Sequence, residues 1–468
     1  MRILLVAPYK TSFLSLAKFP PLGLGYLASA LRKKGYEVKI LDCLKEGLTY
    51  PGYRDAILKE RPDIVGVNSW SCSVREVKEI LTVTKEIDKR IITIVGGPHP
   101  SAVPREAMDY FRDADFGFKG EAEIGLPMLV DTLFNKGKAR LDSIPGLIWK
   151  DNGHCNVNEQ IFCSNLDDFD YLAWDLIKPE EYSELGTANF IKTAPIITSR
   201  GCPYHCTFCS AHIISGYKIR LRSLENIINE LKMLKEKHGI KRINIMDENF
   251  TFNKDHVLSF CNRVIEEGLD LEFSLPQGVR LDALDEELLL RMKKANFNPH
   301  IALGIESGSE RILKMIKKNV NKEMVKDKVV LLRRVGFRPI GYFILGLPTE
   351  TKEEMYETLR FAKELKFYRA AFSPLLVLPS TEIYEDLKNA NQLPADYDFS
   401  SLVTDRIMYA PSGMTIEEFS RIRKDIILKF NLQFRAIFDY MRDFNSFVFA
   451  IKRIIGVFLR NNKISKKY

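Results

Sequence analysis

The stretch Pro195-Ile196-Ile197-Thr198-Ser199-Arg200-Gly201-Cys202-Pro203-Tyr204-His205-Cys206-Thr207-Phe208-Cys209 runs from an apolar, strand-like segment straight into a loop with three cysteines. The spacing, C-x3-C-x2-C, lets three thiolates converge on one centre from a single loop. Iron–sulfur clusters are held by cysteine thiolates, normally four of them. Three ligands with no local fourth point to a cluster with one iron left open to another ligand. A zinc site or a buried apolar patch are the other readings. Zinc motifs come as paired C-x2-C or with histidine at set spacing, and no second pair exists here. Chemistry on the loop after a strand's carboxyl end is the habit of parallel βα barrels.

The segments that follow keep that pattern. Strand-like runs fall at 195–199, 242–246, 271–275, 300–304, 339–345 and 369–374. Helical patterns lie between them at 223–237, 254–267, 286–294, 309–317 with 322–335, and 352–364, and another at 381–390 follows the sixth strand. Six βα units predict an incomplete (β/α)6 TIM-like barrel. Its strand ends are polar: Asp247-Glu248-Asn249-Phe250-Thr251, Gln277-Gly278-Val279-Arg280, Gly304-Ile305-Glu306-Ser307-Gly308-Ser309, and Gly346-Leu347-Pro348-Thr349-Glu350. Asp, Gly and Ser often merely end strands and cap helices, but four polar ends in succession favour ligand contact. Glu306 and Ser307 can bond a ribose or an ammonium. Arg280 can pair with a carboxylate, or sit in a structural ion pair.

Upstream, residues 1–140 alternate in the same way. Strands are predicted at 3–7, 37–41, 63–67 and 91–95, with helices near 21–34, 74–88 and 124–134. This is an α/β, doubly wound (Rossmann-like) parallel sheet, with ligands expected at the carboxyl ends of its strands. Gly96-Gly97 falls at such an end. Residues 141–190 read as a linker with a hairpin, because Asp151-Asn152-Gly153 is a strong turn signal. The barrel occupies 191–400, and a helical, basic extension fills 401–468.

At 468 residues, with 46% hydrophobic and 28% charged side chains, the chain suits two or three globular domains. The eight cysteines are scattered outside the triplet, which argues for a reducing cytoplasm rather than a disulfide framework. Met1-Arg2-Ile3-Leu4-Leu5 is too short for a signal core, and no long apolar run predicts a membrane span. Of the net charge of +8, residues 421–468 hold twelve Lys and Arg against three Asp and Glu. Interspersed with bulky apolar residues, these suit either a helical cap on the barrel or an interfacial helix at a membrane. No nucleic-acid module is present, and none is expected as a partner.

The cysteine spacing, with the aromatic Phe208 before the last cysteine, resembles the signature of radical S-adenosylmethionine (SAM) enzymes. The resemblance implies that Cys202, Cys206 and Cys209 hold a [4Fe-4S] cluster whose open iron binds SAM. One electron, from a donor such as flavodoxin or ferredoxin, then cleaves SAM to a 5′-deoxyadenosyl radical. The segments 20–27, Ser69-Trp70-Ser71, Gly96-Gly97-Pro98-His99-Pro100 and Gly120-Glu121-Ala122-Glu123 resemble the cobalamin-binding domain fused to many of these enzymes. Cobalamin is then a third cofactor, near Ser69, Ser71, Gly96 and Gly97. The loop after the first strand lacks D-x-H-x-x-G, so no histidine is expected below the cobalt, and His99 reads as a loop residue. The same resemblance places Phe208, Asp247, Gln277, Arg280, Glu306, Ser307 and Gly346 around SAM. Where relatives carry Pro-Gly-Thr, this chain has Pro379-Ser380-Thr381; serine resists a left-handed backbone, so that loop is expected to differ. The implied activity is methylation of an unactivated carbon on a small-molecule or lipid substrate. Radical cyclisation or oxidative rearrangement is the alternative, and an iron–sulfur redox or sensing protein is the non-enzymatic one.

Overall fold

Short runs of β-branched and leucine residues build the first layer of a computed structural model that describes residues 1–9, 19–134, 140–182, 191–367, 369–393, 397–402 and 406–433. Strand β1 (Arg2–Ala7) buries Ile3 through Val6. It pairs in parallel with β2 (Glu37–Asp42) on one side and β3 (Ile64–Asn68) on the other. Next come β4 (Ile92–Gly96) and β5 (Phe116–Phe118), also parallel. A strand covered on both faces needs such an unbroken apolar run. Helices Leu22–Lys33, Val74–Ile87 and Gly125–Phe134 stand near their predicted bounds. Helix Tyr50–Glu60 was not among the expected helices, and Pro51 stands in its first turn. Pro at a helix start costs nothing, since its missing N–H has no partner there anyway.

The hairpin assigned to a linker belongs to this sheet. Strands β6 (Leu147–Asp151) and β7 (His154–Val157) extend it antiparallel, giving the order β2-β1-β3-β4-β5-β6-β7. The turn has positive φ at both Asn152 (47°) and Gly153 (82°), as a two-residue hairpin turn demands. The physical reason for the correction lies in β5, whose three residues would otherwise leave an unpaired edge.

The barrel strands are β8 (Thr193–Ile196), β11 (Arg242–Ile245), β12 (Glu272–Ser274), β13 (His300–Glu306), β14 (Arg338–Leu345) and β15 (Arg369–Pro374). They form two parallel trios, β12-β11-β8 and β13-β14-β15. Single bridges, Phe273 with Phe297 and Val279 with Leu303, link the trios into one curved wall. Between β8 and β11 lies a small antiparallel ribbon, β9 (Ser199–Arg200) with β10 (Arg220–Leu221), and the cysteine loop hangs from it. The fold is therefore a mostly parallel α/β sheet, with an antiparallel hairpin at one edge, joined to a partial barrel.

The C-terminal helix, Ile416–Asn431, starts with a capping box of Thr415 and Glu418. It buries Phe419, Ile426, Ile427 and Phe430 against the barrel, and Arg423 Nε donates to the carbonyl of Phe372 on β15 at 2.9 Å. Residues 421–431 of the basic extension are thus a helical cap. The remainder, 434–468, lies outside the described residues. Among the described residues, no helix is long and apolar enough to cross a membrane.

Candidate active site

The cysteine loop is fixed from several sides. Gly201 has φ 98°, and a Cβ there would lie 2.3 Å from the Lys218 carbonyl oxygen, so only glycine fits. Cys202 N–H donates to the Gly216 carbonyl at 3.2 Å, and Thr207 N–H to that of Ile316 at 3.2 Å. Glu248 accepts from Gly201 N–H at 3.3 Å and from the Ser215 hydroxyl. Arg280 stacks 3.4 Å above the Tyr204 ring, whose hydroxyl donates to Asp282 at 2.8 Å.

The three thiols are unpaired and half-buried. Burial pushes the Cys202 and Cys209 thiols up; nearby charge on Arg280 draws Cys202 down, and Lys318 does so for Cys209. Cys206 also raises Cys202, and both Cys206 and Cys202 raise Cys209. Yet among the described residues no three His, Cys, Asp or Glu side chains converge on a single ion. The charges of Arg280 and Lys318 beside the triplet suit a cysteine-bound iron–sulfur cluster, whose core carries negative charge.

Glu306 ends β13 at a bulge and takes φ 71°, a strained value for a side-chain-bearing residue. Its carboxylate accepts from Lys318 Nζ at 2.8 Å, with both side chains 10% exposed. A Cβ on Gly304 would lie 2.8 Å from Glu306 Oε1, so glycine makes room for the pair. Lys318 was missed from sequence because it sits in a run with Lys314 and Lys317 that looks solvated. Its ammonium also lies 5.9 Å from the Phe208 ring. Ser307 is fully buried, and its hydroxyl accepts from Ser309 N–H at 3.1 Å. Asp247 is wholly engaged: it accepts from Thr198 N–H (2.7 Å), Thr198 Oγ1 (2.5 Å) and Ser199 Oγ (2.7 Å). Burial nonetheless lifts it to about 6. Asp247 thus ties β11 to the root of the cysteine loop. Arg280 donates to Asp282 at 3.1 Å and to the Lys318 carbonyl at 3.0 Å, so it takes the structural ion pair named among its alternatives. Gln277 is exposed on its loop. Gly346, at φ 82°, donates its N–H to Glu350 at 2.7 Å, and a Cβ there would strike the Phe419 ring at 2.5 Å.

On the first sheet, Gly97 has φ 97°, and a Cβ would lie 2.1 Å from Asn68 Oδ1. The β3 and β4 loops close together because of it. Ser69 N–H donates to the Gly96 carbonyl at 2.7 Å, while the Ser69 hydroxyl is buried with no partner. That unpaired hydroxyl beside a glycine turn fits a cofactor laid across the strand ends. Ser71 Oγ meets His99 Nδ1 at 3.1 Å. His99 is buried against the Phe111 and Phe399 rings, and burial lowers it to about 4. It is a neutral packing residue.

The two halves face each other across this loop. Helix Pro98–Ala102, which follows Gly97, contacts helix Ala211–Ser215, which follows Cys209. Ser380 adopts φ 62° and donates to the Ala102 carbonyl. The serine therefore accepts the left-handed backbone it was expected to resist, and its hydroxyl is used to join the domains. Glu121 receives both Arg220 Nη atoms at 2.7 and 2.8 Å, and Glu123 receives Arg200 at 2.8 Å.

A partial barrel with a three-cysteine loop on its first strand, docked on a Rossmann-like sheet, defines an iron–sulfur enzyme that works on bound cofactors. Residues 196–362 match the radical SAM superfamily, and residues 15–130 match the B12 binding domain. An uncharacterised methyltransferase of Pyrococcus horikoshii is 32% identical over 464 residues, 98% of each chain. The cytidylyl-2-hydroxyethylphosphonate methyltransferase of Streptomyces wedmorensis is 29% identical over 89% of this chain and 86% of its own. The radical SAM methyltransferase TsrM of Kitasatospora setae, with cobalamin and a [4Fe-4S] cluster bound, superposes with a TM-score of 0.68 at 19% identity over 90% of this chain and 81% of its own. The chain belongs to the radical SAM enzymes with a cobalamin-binding domain. Its cofactors are SAM, a [4Fe-4S] cluster and cobalamin.

Proposed function

We propose that the protein is a methyltransferase that places a methyl group on an unactivated carbon of a small-molecule or lipid substrate. The observation that carries this is the docking of helix Pro98–Ala102 on helix Ala211–Ser215, because it sets the cobalamin-side loops against the cysteine loop. The full-length likeness to a methyltransferase supports it. When bound, the cluster supplies the electron that cleaves SAM, and cobalamin supplies the methyl carrier.

Within that scheme the chain's own residues bind and orient. Cys202, Cys206 and Cys209 hold the cluster, and Gly201 and Glu248 keep their loop in place. Glu306 and Lys318 offer a carboxylate and an ammonium to the charged groups of SAM, with Phe208 and Ser307 shaping the same wall. Gly346 and Gln277 border it. Asp247 and Arg280 act by position, through Thr198 and Ser199 and through Tyr204. Ser69 offers its hydroxyl to cobalamin, and Gly96 and Gly97 let the ligand approach the backbone; Ser71 holds His99.

Reconstituted protein, a flavodoxin or ferredoxin donor and SAM labelled in its methyl group should be incubated with cytoplasmic extract. Labelled methyl in one product is expected. A product that loses hydrogens and gains no label marks a cyclase instead and refutes methyl transfer.

The rest of the basic extension suits reversible contact with an acidic membrane from the cytoplasm. Residues 434–468 hold eight Lys and Arg, two Asp and six Phe, and each basic residue near such a surface contributes roughly 1 kcal/mol. Flotation with anionic vesicles should be salt-sensitive and lost on truncation after Gln433, which spares the helical cap. Unchanged flotation after that truncation would dismiss the idea.

A further inference from the structure

Hydrogen bonds and short backbone steps together join the Gly96-Gly97 turn to the cysteine loop. The Ser101 hydroxyl, on a residue 2% exposed, donates to the Gly97 carbonyl at 2.7 Å and accepts from Gly120 N–H at 2.9 Å. Gly120 itself has φ 71°, a left-handed backbone that favours glycine. The next residue, Glu121, is 8% exposed and grips Arg220 with both oxygens. Arg220 also donates to the carbonyls of Ser215 (2.8 Å) and Cys163 (3.0 Å). It pairs across the ribbon with Arg200, two residues before Cys202.

Arg200 closes the cluster of charge. Its guanidinium lies 3.3 Å from Glu121 and 2.8 Å from Glu123, over the rings of Tyr26 (4.7 Å) and Phe169 (5.3 Å). Two arginines and two glutamates, each under 10% exposed by side chain, therefore sit at the root of the loop. Both acids come from the first domain and both bases from the barrel. A buried ion pair is weak evidence for stability, because desolvation offsets the attraction. It does specify geometry, since bidentate guanidinium–carboxylate bonding fixes both distance and plane.

We propose that Ser101, Gly120 and Glu121 form a positioning link that sets the cysteine loop relative to the Gly96-Gly97 turn. The first domain is then part of the cluster's own scaffold as well as a carrier for cobalamin. This rests on the assignment of the two sites to cluster and cobalamin, and not on methyl transfer. The three residues act through Arg220 and Arg200 on one side and through the Gly97 carbonyl on the other.

The test uses full-length protein reconstituted with iron and sulfide, comparing Glu121→Gln and Ser101→Ala with the unaltered chain. Reduced-cluster EPR with and without SAM is read in the absence of cobalamin, and cobalamin affinity is titrated separately. Both variants should retain cluster iron, change the SAM-induced EPR shift in the same sense, and bind cobalamin at least three-fold more weakly. In the double variant the two effects should be less than additive. An unchanged EPR shift together with cobalamin affinity within two-fold in both variants overturns the link, whatever happens to stability. Should Glu121→Gln fail to fold, Ser101→Ala, which removes one hydroxyl, decides the matter by the same two readouts. Absence of methyl transfer in the unaltered chain, with both readouts changed in the variants, would refute the proposed reaction and leave the link standing.

Discussion

Removing the Glu306 carboxylate should cost the barrel about 3–5 kcal/mol, because it strands a buried ammonium. At 2.8 Å and an effective dielectric near 20, the gross attraction to Lys318 is about 6 kcal/mol. Desolvating two side chains that are each 10% exposed offsets most of that, so the intact pair adds little net stability. The asymmetry gives a sharp expectation. Glu306→Gln alone should lose several kcal/mol in urea unfolding followed by circular dichroism. The double variant Glu306→Gln/Lys318→Met should recover most of the loss, ending within about 1 kcal/mol of the parent. SAM titration of the double variant provides the functional arm: stability returns while affinity stays low, since the two charges proposed to meet SAM are gone. Equal losses in the single and double variants would show that the two residues are not coupled, and the reasoning about this wall would fall with them.

Replacing Cys202, Cys206 and Cys209 together by Ala should abolish cluster iron and SAM cleavage, while Ala at Cys43, Cys72, Cys155, Cys163 and Cys261 leaves iron content unchanged by colorimetric assay. Glu350 is pushed up to about 8 by burial, against backbone N–H bonds from Leu347 and Gly346 that pull it down. Its raised folded value means that the folded state holds the extra proton between the ordinary carboxyl range and about 8. Stability should therefore fall as pH rises through that window, by at most about 1.4 kcal/mol per pH unit, and Glu350→Gln should flatten the profile of thermal midpoint against pH. Gly346→Ala drives a methyl into the Phe419 ring and strains a φ of 82°; a loss of about 2–4 kcal/mol is expected in urea unfolding. Ser380→Gly relieves about 1 kcal/mol of left-handed strain but removes the hydroxyl bond to Ala102, so its unfolding midpoint should hardly move, whereas Ser380→Ala should lower it.

Much of the barrel was legible because buried parallel strands must be short, apolar and bounded by polar turns; the sixth strand, 369–374, fell where it was read. The sheet membership of hairpin Leu147–Val157 was not, since pairing with β5 is a choice between edges that local pattern does not encode. The cysteine triplet announced itself through spacing alone. Lys318 did not, because a lysine among lysines looks solvated until its partner twelve residues earlier is placed beside it. Asp247 and Arg280 were found as polar strand ends, yet their bonds go to Thr198, Ser199 and Asp282. A side chain's type tells what it can bond, and only the fold tells who claims it first. Ser380 illustrates the converse: the intrinsic cost of its backbone was read correctly, and a partner 278 residues away offsets it.

The bond from Arg423 to the Phe372 carbonyl has a consequence for solubility. An incomplete barrel ends in two open flanks, and among the described residues β15 forms one of them, paired only with β14. An unpaired strand flank is a template for another chain's backbone. Helix Ile416–Asn431 lies along it, placing a guanidinium on a carbonyl that a foreign strand would otherwise capture, and walling the approach with Phe419 and Phe430. A protein ending before Thr415 should therefore self-associate through β15 even where the barrel itself still folds, and the C-terminal helix keeps each molecule from recruiting the next.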